Sequence, residues 1–258
     1  MHAVQRLYHY RKSLCTTEYK ARGQRVVRCE QCRLSINFCI CELSPQVQSK
    51  VSFLMLMYDT EVLKPSNTGK LIADIIPDCH AFLWSRTEPN PDLLALLADP
   101  QYQPYIVFPK EYAAEEQVVI ETSVASYSDK KPLFIMLDGS WREAKKMFRK
   151  SPYLNKFPIV SFDPEKLAEQ DIASRYHIRV AANENQLATA EVAARVLDIN
   201  GEHNNAHLLD LWFDVFSYQY QRSVCQTNHG NVDAVEHYLD FTQKHQIKLN
   251  SNNVQPNV

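Results

Sequence analysis

Four thiols lie within thirteen residues in the segment RCEQCRLSINFCIC, where Cys29, Cys32, Cys39 and Cys41 are spaced C-x2-C-x6-C-x-C. Thiolates this close in sequence can meet around one tetrahedral zinc ion, and a shell closed by four sulfurs is structural rather than catalytic. The C-x-C half departs from the usual knuckle spacing, so an iron–sulfur cluster or a redox pair is the competing reading. A second cluster stands in PLFIMLDGSW (132–141), an apolar run that stops at an acid, a glycine, a hydroxyl and a tryptophan. Asp138 there can accept a proton or cap a turn, Gly139 permits a tight turn, and Ser140 can cap the helix that follows. The third is EVLKPSNTGK (61–70), where Ser66, Asn67 and Thr68 precede a helix and Lys64 adds charge. The free N–H groups of such a helix start can hold an anion, whereas a plain N-cap would need only one of these side chains. Fourth, Arg142, Lys145, Lys146 and Arg149 recur at helical spacing on one face. A stripe of this kind is either a solvated face or a grip on a phosphate backbone. Arg22, Arg25, Arg28 and Arg33 pose the same choice around the cysteines.

The elements that must position these groups alternate between strand and helix. VSFLMLMY (51–58), HAFLWSR (80–86), PYIVFP (104–109), PLFIMLD (132–138) and FPIVSF (157–162) are short apolar runs. They lack alternation, as expected of strands covered on both faces of a parallel sheet. GKLIADIIP, PDLLALLAD and WREAKKMFRK read as the helices between them, with ATAEVAARVLDI (188–199) and AHLLDLWFDVFSYQYQ (206–221) as amphipathic helices afterwards. The expected class is α/β, a mostly parallel sheet with helices on both faces. Open sheets of this class take ligands outside the strand carboxyl ends, where Asp138 falls. The one boundary expected lies near residue 48. It separates a basic, cysteine-rich module (1–48), too poor in apolar mass to fold without metal, from the α/β domain (49–245); a flexible tail (246–258) follows.

Composition narrows the function classes. A chain of 258 residues with 45% apolar and 10% aromatic content can bury a large core. Its start, MHAVQRLYHYRKSLC, has no apolar leader core, and VSFLMLMY is too short to span a bilayer, so a soluble cytoplasmic protein without a membrane partner is expected. Seven cysteines, four of them clustered, suit a metal site better than a disulfide framework. The net charge of −2 gives no global sign of a polyanion partner. Its distribution does, because residues 1–50 hold nine Lys or Arg against three Glu, and 142–156 hold six against one. Five scattered glycines exclude both the G-x-G-x-x-G fingerprint and the P-loop.

Taken in order, RCEQCRLSINFCIC, DTEVLKPSNTGKLIADIIPD, WSRTEP, VFP, LDGSWREAKKM and QLATAEVA resemble the DTW-domain family, over residues 28 to 200, and above all its bacterial tRNA-uridine aminocarboxypropyltransferases. The resemblance implies a SPOUT-like α/β domain with a trefoil knot at the cofactor site. It also implies transfer of the 3-amino-3-carboxypropyl group of S-adenosylmethionine to N3 of a tRNA uridine, at variable-loop position 47, releasing methylthioadenosine. On this reading Pro109, Leu137, Asp138, Gly139, Ser140, Leu187, Ala188, Thr189, Ala190 and Glu191 wrap the cofactor. Asp138 is the base or orients the uridine edge, and Trp141 stacks on the base or shapes the pocket. Lys64, Asn67, Thr68, Arg28, Arg33, Arg142, Lys145, Lys146 and Arg149 meet tRNA, and the four cysteines hold structural zinc. The name-giving D-x-T-W is here Asp138-Gly139-Ser140-Trp141; Ala188 replaces a cysteine and Tyr58 a histidine found in other members. Three other readings compete: a methyltransferase of related fold, a non-catalytic zinc RNA-binding module, and a redox enzyme using Cys29 and Cys32 or Cys79 beside His80. Monomer or dimer is left open.

Overall fold

The computed structural model describes the chain except residues 18, 20–22, 24, 126–127, 163–186, 226 and 251–258. Six strands form one parallel sheet: β2 (Ser52–Met57), β3 (Cys79–Leu83), β4 (Tyr102–Val107), β5 (Val119–Ile120), β6 (Lys131–Asp138) and β7 (Ile159–Val160). Their order is β3-β2-β6-β4-β7-β5, so β6 returns to lie between β2 and β4. The expected fold class is therefore present, with helices on both faces. Phe53, Met55, Phe134 and Met136 point to one side, where they share a core with helices α2 (Gly69–Ile75), α5 (Thr189–Ile199) and α6 (His203–Val224). Leu54, Leu56, Leu133 and Ile135 point to the other, against α3 (Pro91–Ala98) and α4 (Trp141–Arg149). Double coverage is why β2 and β6 read as unbroken apolar runs.

Among the elements not expected are two helices, a 3-10 turn after β2 and the short strands at 45–46, 119–120 and 248–249. Helix α1 (Ala3–Ser13) opens the chain, capped by the His2 side chain and buried through Ala3 and Val4. Helix α7 (Ala234–Lys244) packs on α6, its Tyr238 ring 5.2 Å from that of Trp212. The segment after β2 contains a 3-10 turn, Glu61–Leu63, whose three side chains are all buried. Val4, Leu34 and Ile40 lie in the same apolar cluster as Phe53 and Trp212, so the cysteine-rich segment and the sheet share one core. Strand β1 (Pro45–Gln46) pairs with β8 (Lys248–Leu249), and Asn250 N donates to Ser44 O. Backbone pairing thus joins residues 248–250, inside the expected tail, to residues 44–46. Residues 251–258 lie outside the described residues. So do residues 163–186, between β7 and α5. Among the described residues no helix is long and apolar enough to cross a membrane.

Candidate active site and metal centre

The crevice is made by adjacent strands whose chains leave in opposite directions. From β2 the chain passes to α2 on one face, and from β6 to α4 on the other, so their carboxyl ends diverge. Asp138, in register with Met57, closes the gap from below and is only 2% exposed. Its Oδ1 accepts from Thr189 Oγ1 at 2.6 Å and its Oδ2 from Asn67 Nδ2 at 2.7 Å. Asn67, 1% exposed, also donates to Glu61 Oε1 at 3.2 Å, and its Oδ1 accepts from Lys70 N at 3.1 Å. A Cβ on Gly69 would stand 2.7 Å from Asp138 Oδ2, so only glycine lets α2 begin this close. One buried carboxylate thus laces together the loop after β2, the turn after β6 and the start of α5. Burial of a carboxylate is tolerable only with such donors around it.

The expected cofactor residues divide by accessibility. Leu137, Asp138, Ala190 and Glu191 are buried, while Pro109, Gly139, Leu187, Ala188 and Thr189 are half-buried and Ser140 is exposed. Glu191 Oε2 accepts from Ala188 N at 2.7 Å, which caps α5. Ser140 and Glu143 cap α4 in the same way, with Ser140 N donating to Glu143 Oε2 at 2.7 Å. The half-buried members sit beyond the ends of β4 and β6 and at the start of α5, on one edge of the sheet.

Beside this edge the four basic residues of α4 come together. Arg142, Lys145, Lys146 and Arg149, with Tyr58 and Tyr112, line a groove of about 760 Å³. An aromatic pile stands beside it: Trp141 stacks on Phe108 at 5.4 Å, Phe108 on Phe148 at 4.6 Å, and Tyr112 meets Trp141 edge-on at 5.9 Å; of these, Tyr112 and Phe148 line the groove. Lys145 Nζ lies 5.6 Å from the Trp141 ring, and Lys146 Nζ donates to Tyr58 Oη at 3.2 Å. Tyr58 stacks on Trp84 at 5.8 Å. The aromatic wall was missed in the sequence, although a signal existed: Tyr58, Trp84 and Phe108 each directly follow a strand.

Other expectations of RNA-facing residues are not met by exposure. Arg33 is 5% exposed, donates to Val62 O and lies 4.9 Å from the Tyr8 ring; burial lowers its pKa to about 10. Arg28 is half-buried, donates to Arg33 O at 3.0 Å and lies 5.7 Å from the Tyr220 ring. Asn67 and Thr68 are buried beneath the crevice, and of that trio only Lys64 is partly open, paired with Glu61 at 2.6 Å. Arg25 is exposed, and Arg22 lies outside the described residues.

The four thiols converge. Cys29 and Cys41 Sγ are 3.6 Å apart, Cys32 and Cys39 Sγ 3.7 Å, and all four lie within 4.8 Å of one another. A zinc ion with bonds of about 2.3 Å to each sulfur requires S···S edges near ~3.8 Å, so the cage fits it. Disulfides, at about 2.05 Å, do not fit, and all seven cysteines are free thiols. Crowding splits the thiols: hydrogen bonding from Cys41 pulls Cys32 down to about 5 and pushes Cys41 up. The positive φ of Arg33 (62°) turns the chain between Cys32 and Leu34, letting Cys29 N donate to Leu34 O at 2.8 Å. Cys79 offers no redox partner here: burial raises its pKa, and His80 is engaged by Asp78 at 3.0 Å.

No solved structure matches the chain. The DTW domain family model matches residues 26–221, a span that takes in the thiol cage, the carboxylate-laced crevice and the basic groove. With that match over most of its length, the chain belongs to the DTW-domain family of tRNA-modifying enzymes.

Proposed function

We propose that the protein transfers the 3-amino-3-carboxypropyl group of S-adenosylmethionine to N3 of a tRNA uridine in the variable loop, at position 47, releasing methylthioadenosine. The observation that carries this reading is the adjacency of the Asp138-Gly139-Ser140-Trp141 turn to a groove lined by four cations and by Tyr58, Tyr112 and Phe148. S-adenosylmethionine supplies an electrophile already activated as a sulfonium. The uridine nitrogen forms a bond to the γ-carbon, the carbon–sulfur bond breaks with its electron pair leaving on sulfur, and the imide proton passes to water. The protein's part is orientation and exclusion of solvent. Pro109, Gly139, Leu187, Ala188 and Thr189 seat the adenosyl end. Asp138 acts as a positioning residue, because its oxygens hold Asn67 and Thr189. Trp141 and Tyr112 offer faces for an unstacked base, and Arg142, Lys145, Lys146 and Arg149 meet phosphates, as suits an RNA read by shape and stacking. Zinc in the thiol cage is structural. A SPOUT-related knotted chain path and a cytoplasmic site of action complete the reading.

The test is mass spectrometry of nucleosides from unmodified tRNA incubated with the protein and S-adenosylmethionine. One uridine gaining the mass of an aminocarboxypropyl group is the expected result. A gain of one methyl group would make the protein a methyltransferase. Binding of tRNA with no product under any condition would reduce it to an RNA-binding module.

A further inference from the structure

Transfer to a uridine nitrogen needs an acceptor for the imide proton, and the carboxylates of the crevice are already engaged. Asp138 accepts from Thr189 on one oxygen and from Asn67 on the other. Glu61, 1% exposed, accepts from Asn67 at 3.2 Å and from Lys64 at 2.6 Å. Glu191 is buried and caps α5. Glu143 differs from all three. It is half-buried and, among the described residues, the one carboxylate that lines the basic groove. Its Oε2 belongs to the cap of α4, accepting from Ser140 N at 2.7 Å and from Ser140 Oγ at 2.6 Å. Its Oε1 has no hydrogen-bond donor among the described residues.

The backbone places this acid at the turn after β6. A Cβ on Gly139 would stand 3.1 Å from Glu143 Cβ and 3.2 Å from Tyr58 Cβ, so the two side chains flank the glycine. Tyr58 N donates to Asp138 O at 2.8 Å, which fixes its backbone to the same turn. The Tyr58 hydroxyl oxygen accepts from Lys146 Nζ at 3.2 Å and keeps its own hydrogen to donate. A phenol donor and a carboxylate acceptor therefore share the groove beside Gly139. The imide edge of uracil presents the complement, a carbonyl next to an N–H. Cytosine carries an acceptor at that nitrogen, which a carboxylate repels.

We infer that Glu143 is a catalytic residue whose Oε1 receives the N3 proton of the uridine. The N3–H bond breaks and leaves its electron pair on nitrogen, which bonds to the γ-carbon. The carbon–sulfur pair departs on methylthioadenosine, and the proton passes from Oε1 to water as product leaves. Base catalysis is thereby added to orientation. The inference rests on the uridine-nitrogen transfer proposed above.

Glu143→Gln separates this role from the helix cap, because a glutamine at that position of a capping box still accepts from the backbone. The variant should keep the melting temperature of wild type and its affinities for tRNA and S-adenosylmethionine. Its kcat should fall about 100- to 10,000-fold, the usual contribution of a general base. The lost rate should return as pH approaches the imide's own pKa. Transcripts made with 5-fluorouridine, whose imide is more acidic, should recover more rate in the variant than in wild type. Absence of an aminocarboxypropyl nucleoside from the wild-type reaction would remove the transfer on which the inference stands. Product from wild type together with near wild-type kcat in Glu143→Gln, or an equal loss on both transcripts at every pH, would overturn the role of Glu143 alone. If Glu143→Gln does not fold, Glu143→Ala takes its place, and added formate should restore its turnover; no response to formate would overturn the role in the same way.

Discussion

Thr189 Oγ1 donates to Asp138 Oδ1 at 2.6 Å, fixing the first turn of α5 to the end of β6. With Asn67 on the other oxygen, this carboxylate joins three segments at the crevice. Asp138→Asn turns one acceptor into a donor facing either the Asn67 amide or the Thr189 hydroxyl. We expect a loss of about 1–3 kcal/mol, the cost of a buried polar group left unpaired, and loss of S-adenosylmethionine binding. Thr189→Val should weaken cofactor binding less. Denaturant titration and calorimetry check both, and near wild-type turnover in Asp138→Asn would remove Asp138 from the site altogether.

Gly69 is the second fixed point. An added methyl would meet Asp138 Oδ2 at 2.7 Å and Met55 Cε at 2.8 Å. The methionine can yield; the carboxylate, held on both oxygens, cannot. Gly69→Ala should therefore cost about 1–3 kcal/mol through overpacking, despite the better helix propensity of alanine. A stabilised variant would show that the crevice is looser than its hydrogen bonds imply.

Much of this arrangement was legible in the sequence, and the limits are physical. β2 and β6 announced themselves because burial on both faces leaves an apolar run unbroken, and the spacing of Arg142, Lys145, Lys146 and Arg149 brought them to one groove. Periodicity cannot tell which way a polar group at a strand end turns, so nothing in the pattern marks Asp138, Glu61 and Arg33 as buried, although all three are. Helix α1 carries few apolar residues and hid among basic ones. Strand β8 has a partner, β1, that only the tertiary fold brings near.

At the opposite end of the sheet, Asp78 accepts from Ser52 at 2.5 Å, Lys131 at 2.6 Å and Tyr102 at 3.0 Å. Burial alone would raise its pKa; hydrogen bonds from Lys131 and Ser52 outweigh that and hold it near about 2. A carboxyl depressed in the folded state contributes stability that is complete above its unfolded value, about 3.9, and disappears as pH falls through the folded value. Between those limits the unfolded chain binds more protons, so stability climbs with pH. Asp78→Asn should flatten the difference in denaturation midpoint between pH 4 and pH 2 relative to wild type, and an unchanged slope would contradict the assignment.

The groove on α4 should behave as a phosphate grip. Replacing Lys145 and Lys146 together with Glu should weaken tRNA binding at every sequence. The slope of log affinity against log salt should become shallower by about 0.7–0.9 for each phosphate that the variant no longer neutralises. Filter binding at several salt concentrations measures this. If affinity and slope both stay as in wild type, the RNA approaches another face.

Removing the metal should affect the whole molecule and not the cysteine-rich segment alone. Leu34 and Ile40, which flank the cage, are almost fully buried in the core that also contains Phe53 and Trp212. Arg33 reaches from between the ligands to Val62 O, beneath the crevice. Without metal the thiols lose the ion that draws them together, and the apolar mass they enclose is small. Because metal binding free energy is folding free energy, the loss is transmitted through that shared core. Chelator treatment should therefore lower the melting temperature as one cooperative transition, and far-ultraviolet dichroism should report it at the same temperature as tryptophan fluorescence. S-adenosylmethionine affinity should fall in the stripped protein and return on adding zinc. Two separated transitions, with cofactor affinity unaltered by stripping, would show instead that the segment folds and unfolds independently of the sheet.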